Sequence, residues 1–258
     1  MSTLAFSRVC VRYGHTTVVD AVDLTVASNT VHGLVGESGS GKSTLAAAAV
    51  GLVRPSHGAI LLDGTDIAGR SSAARRARRR VQLIFQDPYS ALDPRMSVGA
   101  SLVEAMRASG RSLSRAGRAR RVAELLEMVH LDPGRARDLP AAFSGGQRQR
   151  ITIARALAAE PTVIIADEIT SALDVSVQGV VLNLLRELQT SLELTILFIS
   201  HNLAVVRYVC DTVSVMRHGR IVENGETGQI LSTPTHTYTR ELLAAVPVLG
   251  ERPDWDAY

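Results

Sequence analysis

The sequence predicts an α/β fold: a phosphate-binding-loop core on a mostly parallel sheet, a small antiparallel β subdomain and an inserted helical lobe. Three observations carry this. Four apolar runs, at residues 31–35, 81–85, 162–166 and 194–199, have the length and continuous hydrophobicity of strands buried on both faces, and helical patterns separate them. Residues 4–13 instead alternate, with Leu4, Phe6, Val9, Val11 and Tyr13 spaced by polar residues, as in a half-buried strand. Between residues 96 and 159 the spacing turns helical, with Val98, Leu102, Val103 and Met106, then Val122, Leu125, Leu126 and Val129.

In chain order, the alternating strand at 4–13 is followed by a shorter one at 20–26 and another at 59–64 that ends in a turn. These build the small antiparallel sheet. The apolar run 31–35 leads into Gly36-Glu37-Ser38-Gly39-Ser40-Gly41-Lys42-Ser43-Thr44, which fits the phosphate-binding pattern G-x-x-x-x-G-K-[ST]. Its glycines let successive backbone N–H groups turn inward around a polyanion. Lys42 supplies a point charge for β- and γ-phosphates, and Ser43 a hydroxyl for Mg²⁺. The alanine-rich stretch 42–52 reads as a helix with its N-terminus towards the phosphates. The run 81–85 reads as a buried parallel strand ending at Gln86-Asp87-Pro88.

Gly110, Pro133-Gly134 and Pro140 punctuate the helical lobe, and Pro161 closes it. The strand at 162–166 ends on Asp167-Glu168. An aspartate there can hold Mg²⁺ and the adjacent glutamate can polarise a water. A helix over 175–189, the strand 194–199 leading to Ser200-His201, a short helix over 202–210 and strands at 212–216 and 221–223 complete the core. The tail from Gly225 reads as helical, with breaks at Pro234 and Pro247. The whole reads as a single domain over 1–247. Its core lobe covers about 1–95 and 160–224, its helical lobe about 96–159, and a helical tail 225–258.

Composition narrows the class. Aromatics are only 4% of 258 residues, so the core must be aliphatic. Cys10 and Cys210 lie far apart without metal spacing and read as two buried thiols in a reducing compartment. No apolar run approaches the roughly 20 residues that cross a bilayer, and the N-terminus lacks the pattern of a signal peptide. The expectation is a cytoplasmic chain that reaches a membrane through partners. Net charge is +3, but arginine is clustered at 70, 75, 76, 78, 79 and 80, and again at 111, 115, 118, 120 and 121. A nucleic-acid patch is one reading. Interleaved alanine and serine without stacking aromatics favour a solvated helix face.

Ser144-Gly145-Gly146-Gln147 opens a further helix, with Ser144 as N-cap and two glycines that leave backbone N–H groups bare. A second anion-binding helix start is more than one nucleotide needs. Phe143 to Arg150 resembles the signature sequence of ATP-binding cassette (ABC) ATPases, and the resemblance covers nearly the whole chain. It implies two such domains packed head to tail, each ATP held between one phosphate loop and the other chain's Ser144, Gly145, Gly146 and Gln147. It implies that Tyr13 stacks on adenine, that Gln86 touches Mg²⁺ and the attacking water, and that Asp167 holds the metal. Glu168 would be the general base, His201 would contact the γ-phosphate, and Ser171-Ala172-Leu173-Asp174 would communicate across the dimer. A structural tyrosine at position 13 and a satisfied surface histidine at 201 are the plain alternatives.

Residues 86–95 and 170–178, with His236-Thr237-Tyr238-Thr239 and 243–247 in the tail, resemble ATPases of oligopeptide, dipeptide and nickel importers. The tail lacks a cysteine cluster, so no iron–sulfur centre is expected. The resemblance implies ATP and Mg²⁺ as ligands and two transmembrane permease subunits with a second ABC ATPase, identical or paralogous, as partners. An extracytoplasmic binding protein would act indirectly, and the chain would sit at the cytoplasmic face of the membrane with no nucleic acid bound. A soluble ABC ATPase acting on nucleic acid or ribosomes is the rival, supported only by the arginines. A small-molecule phosphotransferase leaves Ser144 to Gln147 unexplained.

Two positions depart from the family pattern: Thr237 and Ile169 stand where proline is usual. Proline at 169 would fix φ near −65° in the turn that aims Glu168. Ile169→Pro is therefore expected to raise ATP turnover modestly over wild type, and equal rates for the two would refute the idea.

Overall fold

A computed structural model describes residues 2–110 and 112–245 of the chain. Arg111 and residues 246–258, with the expected break at Pro247, lie outside the described residues.

Ten strands run through the described residues: β1 (Leu4–Tyr13), β2 (Thr16–Val26), β3 (Val31–Val35), β4 (His57–Leu62), β5 (Thr65–Asp66), β6 (Val81–Ile84), β7 (Val163–Asp167), β8 (Thr195–Ile199), β9 (Thr212–Arg217) and β10 (Arg220–Glu226). They form an antiparallel sheet of order β2-β1-β4-β5 and a larger sheet of order β10-β9-β3-β8-β7-β6. The larger sheet is parallel except where β10 folds back on β9.

Alternation along the parallel strands divides the core. From β7, Ile164 and Ala166 face one side while Val163 and Ile165 face the other; from β8, Ile196 and Phe198 oppose Leu197 and Ile199. One side packs against the antiparallel sheet and α1 (Lys42–Ala49), the other against α-helices. Strands covered on both faces must be apolar throughout, which is why they read as continuous runs.

Between β6 and β7 the chain leaves the sheet. α2 (Ser72–Arg78) has already been laid down before β6, and α3 (Pro88–Ala91), α4 (Val98–Met106), α5 (Arg115–Met128) and α6 (Gly145–Ala158) follow it. Val98 and Leu102 of α4, Val122, Leu125 and Leu126 of α5, and Ile151 and Ile153 of α6 are buried in one cluster. This cluster is continuous with α7 (Val175–Ser191) and α8 (Leu203–Val209). No helix among the described residues is long and apolar enough to cross a membrane.

Several expectations shift. β6 stops at Ile84 and lies at the sheet edge, so Phe85 is exposed rather than buried: an edge strand is covered on one flank only. The helix after the phosphate loop ends at Ala49, before Gly51 takes a left-handed φ of 78°. β2 begins at Thr16, because hairpin pairing with β1 extends it beyond its apolar part. Cys10 is only partly buried, whereas Cys210 is buried, and both are free thiols. Around α2 the arginines divide. Arg75, Arg76 and Arg79 are exposed, while Arg78 donates to the Ile67 carbonyl and Arg80 bridges Ser2 and Asp63.

After β10 come α9 (Thr227–Ser232) and α10 (Thr237–Ala244). The Glu223 carboxylate holds the entry to α10: it accepts from Thr235 N at 2.7 Å, Thr235 Oγ1 at 2.8 Å and His236 N at 3.2 Å. Burial pushes the Glu223 carboxyl up, but the Thr239 hydroxyl beside it and the Thr235 and His236 donors outweigh this and bring it down to about 2. A depressed carboxyl contributes stability above its unfolded value of 4.5 and loses it as pH falls towards 2. Glu223→Gln is expected to cost about 1–3 kcal/mol at pH 7. Urea denaturation should show that difference shrinking as the pH is lowered from 4.5 towards 2.

Candidate functional site

The residues expected to carry chemistry lie at the carboxyl edge of the parallel sheet, beyond the ends of β3, β7 and β8. The loop after β3 is shaped by close approach. Gly36 has φ of 151°, and a Cβ there would lie 2.1 Å from the Met216 carbonyl oxygen, so no side chain fits. Gly41 caps α1, and the loop is braced by Ser40 N donating to Glu37 O at 3.2 Å. Lys42 is 5% exposed, and its ammonium donates to Gly36 O and Glu37 O, both at 2.7 Å, and to Ser40 Oγ at 3.3 Å. Burial lowers the Lys42 pKa, and the carboxylates of Glu168, Asp167 and Glu37 offset this in part.

A cleft of about 290 Å³ opens over this loop. Ser38, Gly39 and residues 41–44 form one wall, Gln86 and Glu168 face them, and Val18 from the antiparallel sheet stands at the rim. Val18 was not among the residues singled out from sequence. It is an unremarkable apolar residue in a strand, and only the approach of β2 to the loop places it there.

At the end of β7, burial pushes the Asp167 carboxyl up; the Ser43 hydroxyl draws it down, Glu168 raises it and Lys42 lowers it. Its Oδ1 is buried with no hydrogen-bond partner. Glu168 follows with φ of 49°, a left-handed conformation that costs a non-glycine residue of order 1–3 kcal/mol. Its N–H donates to Ile199 O at 3.0 Å, and its carbonyl accepts from Ser171 N at 3.1 Å and Ser171 Oγ at 2.9 Å. Ile169, 1% exposed, anchors the same turn in the core.

Three polar side chains converge here. Gln86 Nε2 donates to Glu168 Oε2 at 3.0 Å and to Ser171 Oγ at 3.1 Å, and His201 Nδ1 lies 3.2 Å from Glu168 Oε1. Both carboxylate oxygens of Glu168 are thus engaged, and the group is held over the loop. Gln86, the segment 167–171 with Asp167, Glu168 and Ser171, and His201 are three separate stretches, joined only by the fold.

Two expected groups stand apart. Tyr13 is 51% exposed at the β1–β2 hairpin, paired with Thr16, and is neither a core residue nor part of the cleft wall. Ser144 to Gln147 also lie off the cleft. Ser144 Oγ accepts from Gln147 N and Gln147 Oε1 accepts from Ser144 N, a reciprocal cap on α6. The expectation of two bare glycines is corrected for Gly146, which is buried. A Cβ there would lie 2.2 Å from Val177 Cγ1, so glycine lets α6 approach α7. The 171–174 loop runs between the two regions. Ser171 touches Gln86 and Glu168, Leu173 lies against Gly145, and Gln178 holds the loop through the carbonyls of Thr170 and Leu173.

The ABC transporter family matches residues 19–171. The chain is 49% identical to a Brucella ovis protein named "Putative peptide import ATP-binding protein", over 93% of this chain and 74% of that one. A like-named Brucella abortus protein is 50% identical over 89% of this chain and 69% of its own. Among solved structures, cbiO1 of Clostridium perfringens, part of the ABC transporter complex cbiONQ, superposes with a TM-score of 0.80 at 28% identity, covering 89% of this chain and 90% of that one. A dimeric post-hydrolysis structure of the ATP-binding cassette MJ0796, bound to ADP and Pi, gives 0.76 at 26% identity, with 87% and 98% covered.

The tight Gly146–Val177 contact has a measurable consequence. Gly146→Ala is expected to destabilise the protein by about 1–3 kcal/mol through overpacking. A lowered urea midpoint at unchanged slope checks it.

Proposed function

The chain belongs to the ABC transporter family as an ATP-hydrolysing subunit, and from this premise we propose that it energises a membrane importer of the oligopeptide/dipeptide type. The names of its relatives support peptide as the cargo class, as do the importer-like stretches 86–95 and 170–178. Its partners would be two permease subunits and a second ATPase, with an extracytoplasmic binding protein acting through them. The chain would then work at the cytoplasmic face of the membrane. The nucleic-acid reading gains no support, since Arg78 and Arg80 are spent on contacts within the chain.

One observation carries the mechanism: Glu168 is held over the phosphate loop by Gln86 and His201, while Ser144 to Gln147 lie off that cleft. In this reading Lys42, with the backbone N–H groups of 38–44, grips the phosphates. Glu168 takes the proton from the attacking water, His201 orients its carboxylate and reaches the γ-phosphate, and Gln86 positions the water and reports to the permease. Ser144, Gly145, Gly146 and Gln147 would close over the nucleotide of a second chain in a head-to-tail dimer. A solved neighbour that is dimeric and bound to ADP and Pi supports a dimer. Ser171 to Asp174 would then lie at the interface, and the exposed Tyr13 would stack on adenine.

The residues also fit Mg²⁺. Asp167 Oδ1 is a buried oxygen without a protein partner, beside the Ser43 hydroxyl. Mg²⁺ takes few protein oxygens and fills its shell with phosphate and water. Ser43, Asp167 and Gln86 would hold it, and it would supply charge neutralisation on the phosphates.

Glu168→Gln keeps the shape and removes the base. Turnover is expected to fall by about 10²–10⁴-fold, while ATP and Mg²⁺ shift the protein to a dimer on size exclusion. Brisk hydrolysis by this variant would overturn the assignment.

A further inference from the structure

Tyr238 lies in the tail, 201 residues from the phosphate loop, yet touches it. The side chain is 1% exposed, among the most fully buried of the large residues, and its hydroxyl accepts a hydrogen bond from Glu37 N at 3.0 Å. The guanidinium of Arg217, at the end of β9, lies over the ring 4.5 Å from its centroid and helps to hold it. The helix that carries Tyr238 is itself tied down: His236 Nδ1 accepts from Tyr238 N at 3.1 Å, and Glu223 holds residues 235 and 236.

The contacted peptide decides what this does. The Glu37 N–H and the Gly36 carbonyl belong to one planar unit and point in opposite directions. Tyr238 holds the N–H end, and the Gly36 carbonyl accepts from Lys42 Nζ at 2.7 Å. Rotation of this peptide would move the seat of the lysine. Gly36 has no Cβ to limit rotation about its own backbone bonds. The tail therefore supplies an orientation that the loop sequence lacks.

We propose that Tyr238 is a positioning residue of the nucleotide site: by holding the Gly36–Glu37 peptide it aims Lys42 at the phosphates, so that the tail sets ATP affinity. This rests on the phosphate loop's being the ATP site, as proposed above. Lys42 meets phosphate charge in the ground state and the transition state alike, so the effect falls on binding.

Tyr238→Phe keeps the ring, its burial and the Arg217 contact, and removes only the hydroxyl. In the full chain with Mg²⁺, the KM for ATP is expected to rise about five- to twentyfold, the size of one lost hydrogen bond, with kcat within about twofold. The dissociation constant of a non-hydrolysable ATP analogue should rise by the same factor. The melting temperature should fall by only about 2–6 °C, and the Glu37 amide should exchange with solvent faster while amides of β7 and β8 keep their protection. Glu223→Gln, which loosens the mounting and leaves the hydroxyl in place, should shift KM the same way by a smaller factor. Unchanged KM and analogue affinity in Tyr238→Phe, with wild type binding normally, would overturn the proposal alone. A fall in kcat at constant KM would also overturn it. Failure of wild type itself to bind the analogue would overturn the nucleotide reading and this inference with it.

Discussion

The in-register parallel pairing of β3, β8 and β7 is the constraint from which the site follows. Leu34 pairs with Ile199, and Ile199 with Asp167, so three strands end at one level. The ladder continues past the strand ends, with Ser200 N donating to Leu34 O and Glu168 N to Ile199 O. Whatever follows each strand must emerge side by side. The phosphate loop, the acidic pair and His201 are those continuations. A slip of one residue in either pairing would turn Glu168 away from the loop and drive apolar side chains off their core faces, so burial on both sides protects the register.

The aim of the Glu168 carboxylate is obtained at a local cost. Glu168 sits in a left-handed conformation that its own propensity disfavours. Backbone bonds to Ile199 and Ser171, with the burial of Ile169, offset that strain. The usual proline of the family would restrict this turn through its ring. Here an isoleucine side chain in the core provides a different kind of anchor. Gln86 and His201 then fix both carboxylate oxygens, so little orientational freedom is left in the group.

The helical lobe is coupled to this point through short, stiff contacts rather than through a continuous rod. α6 begins against α7, close enough to require Gly146, and the 171–174 loop between them reaches Glu168 at one end and Gly145 at the other. A shift of α6 against α7 would therefore reach Glu168. On the opposite flank, Glu223, Arg217 and Tyr238 tie the tail to the loop entrance. The phosphate loop is thus braced by a segment 201 residues away in sequence.

The sequence by itself determined the strands, the phosphate loop and the chemical types at the strand ends. Those signals are local: an apolar run of strand length, a glycine-rich stretch before a lysine, two acids after four apolar residues. It missed where β6 loses cover at Phe85, where β2 gains residues by pairing, the two-residue β5 that carries no apolar run, and the partial exposure of Cys10. Tertiary structure alone decided that Gln86, Glu168, Ser171 and His201 converge within hydrogen-bonding distance. Only the fold showed that Gly146 serves helix packing and that Val18 and Tyr238 attend the loop. Valine in a strand and tyrosine in a helix look the same wherever they occur, because contact across 20 or 200 residues depends on strand order and register. No local pattern encodes those.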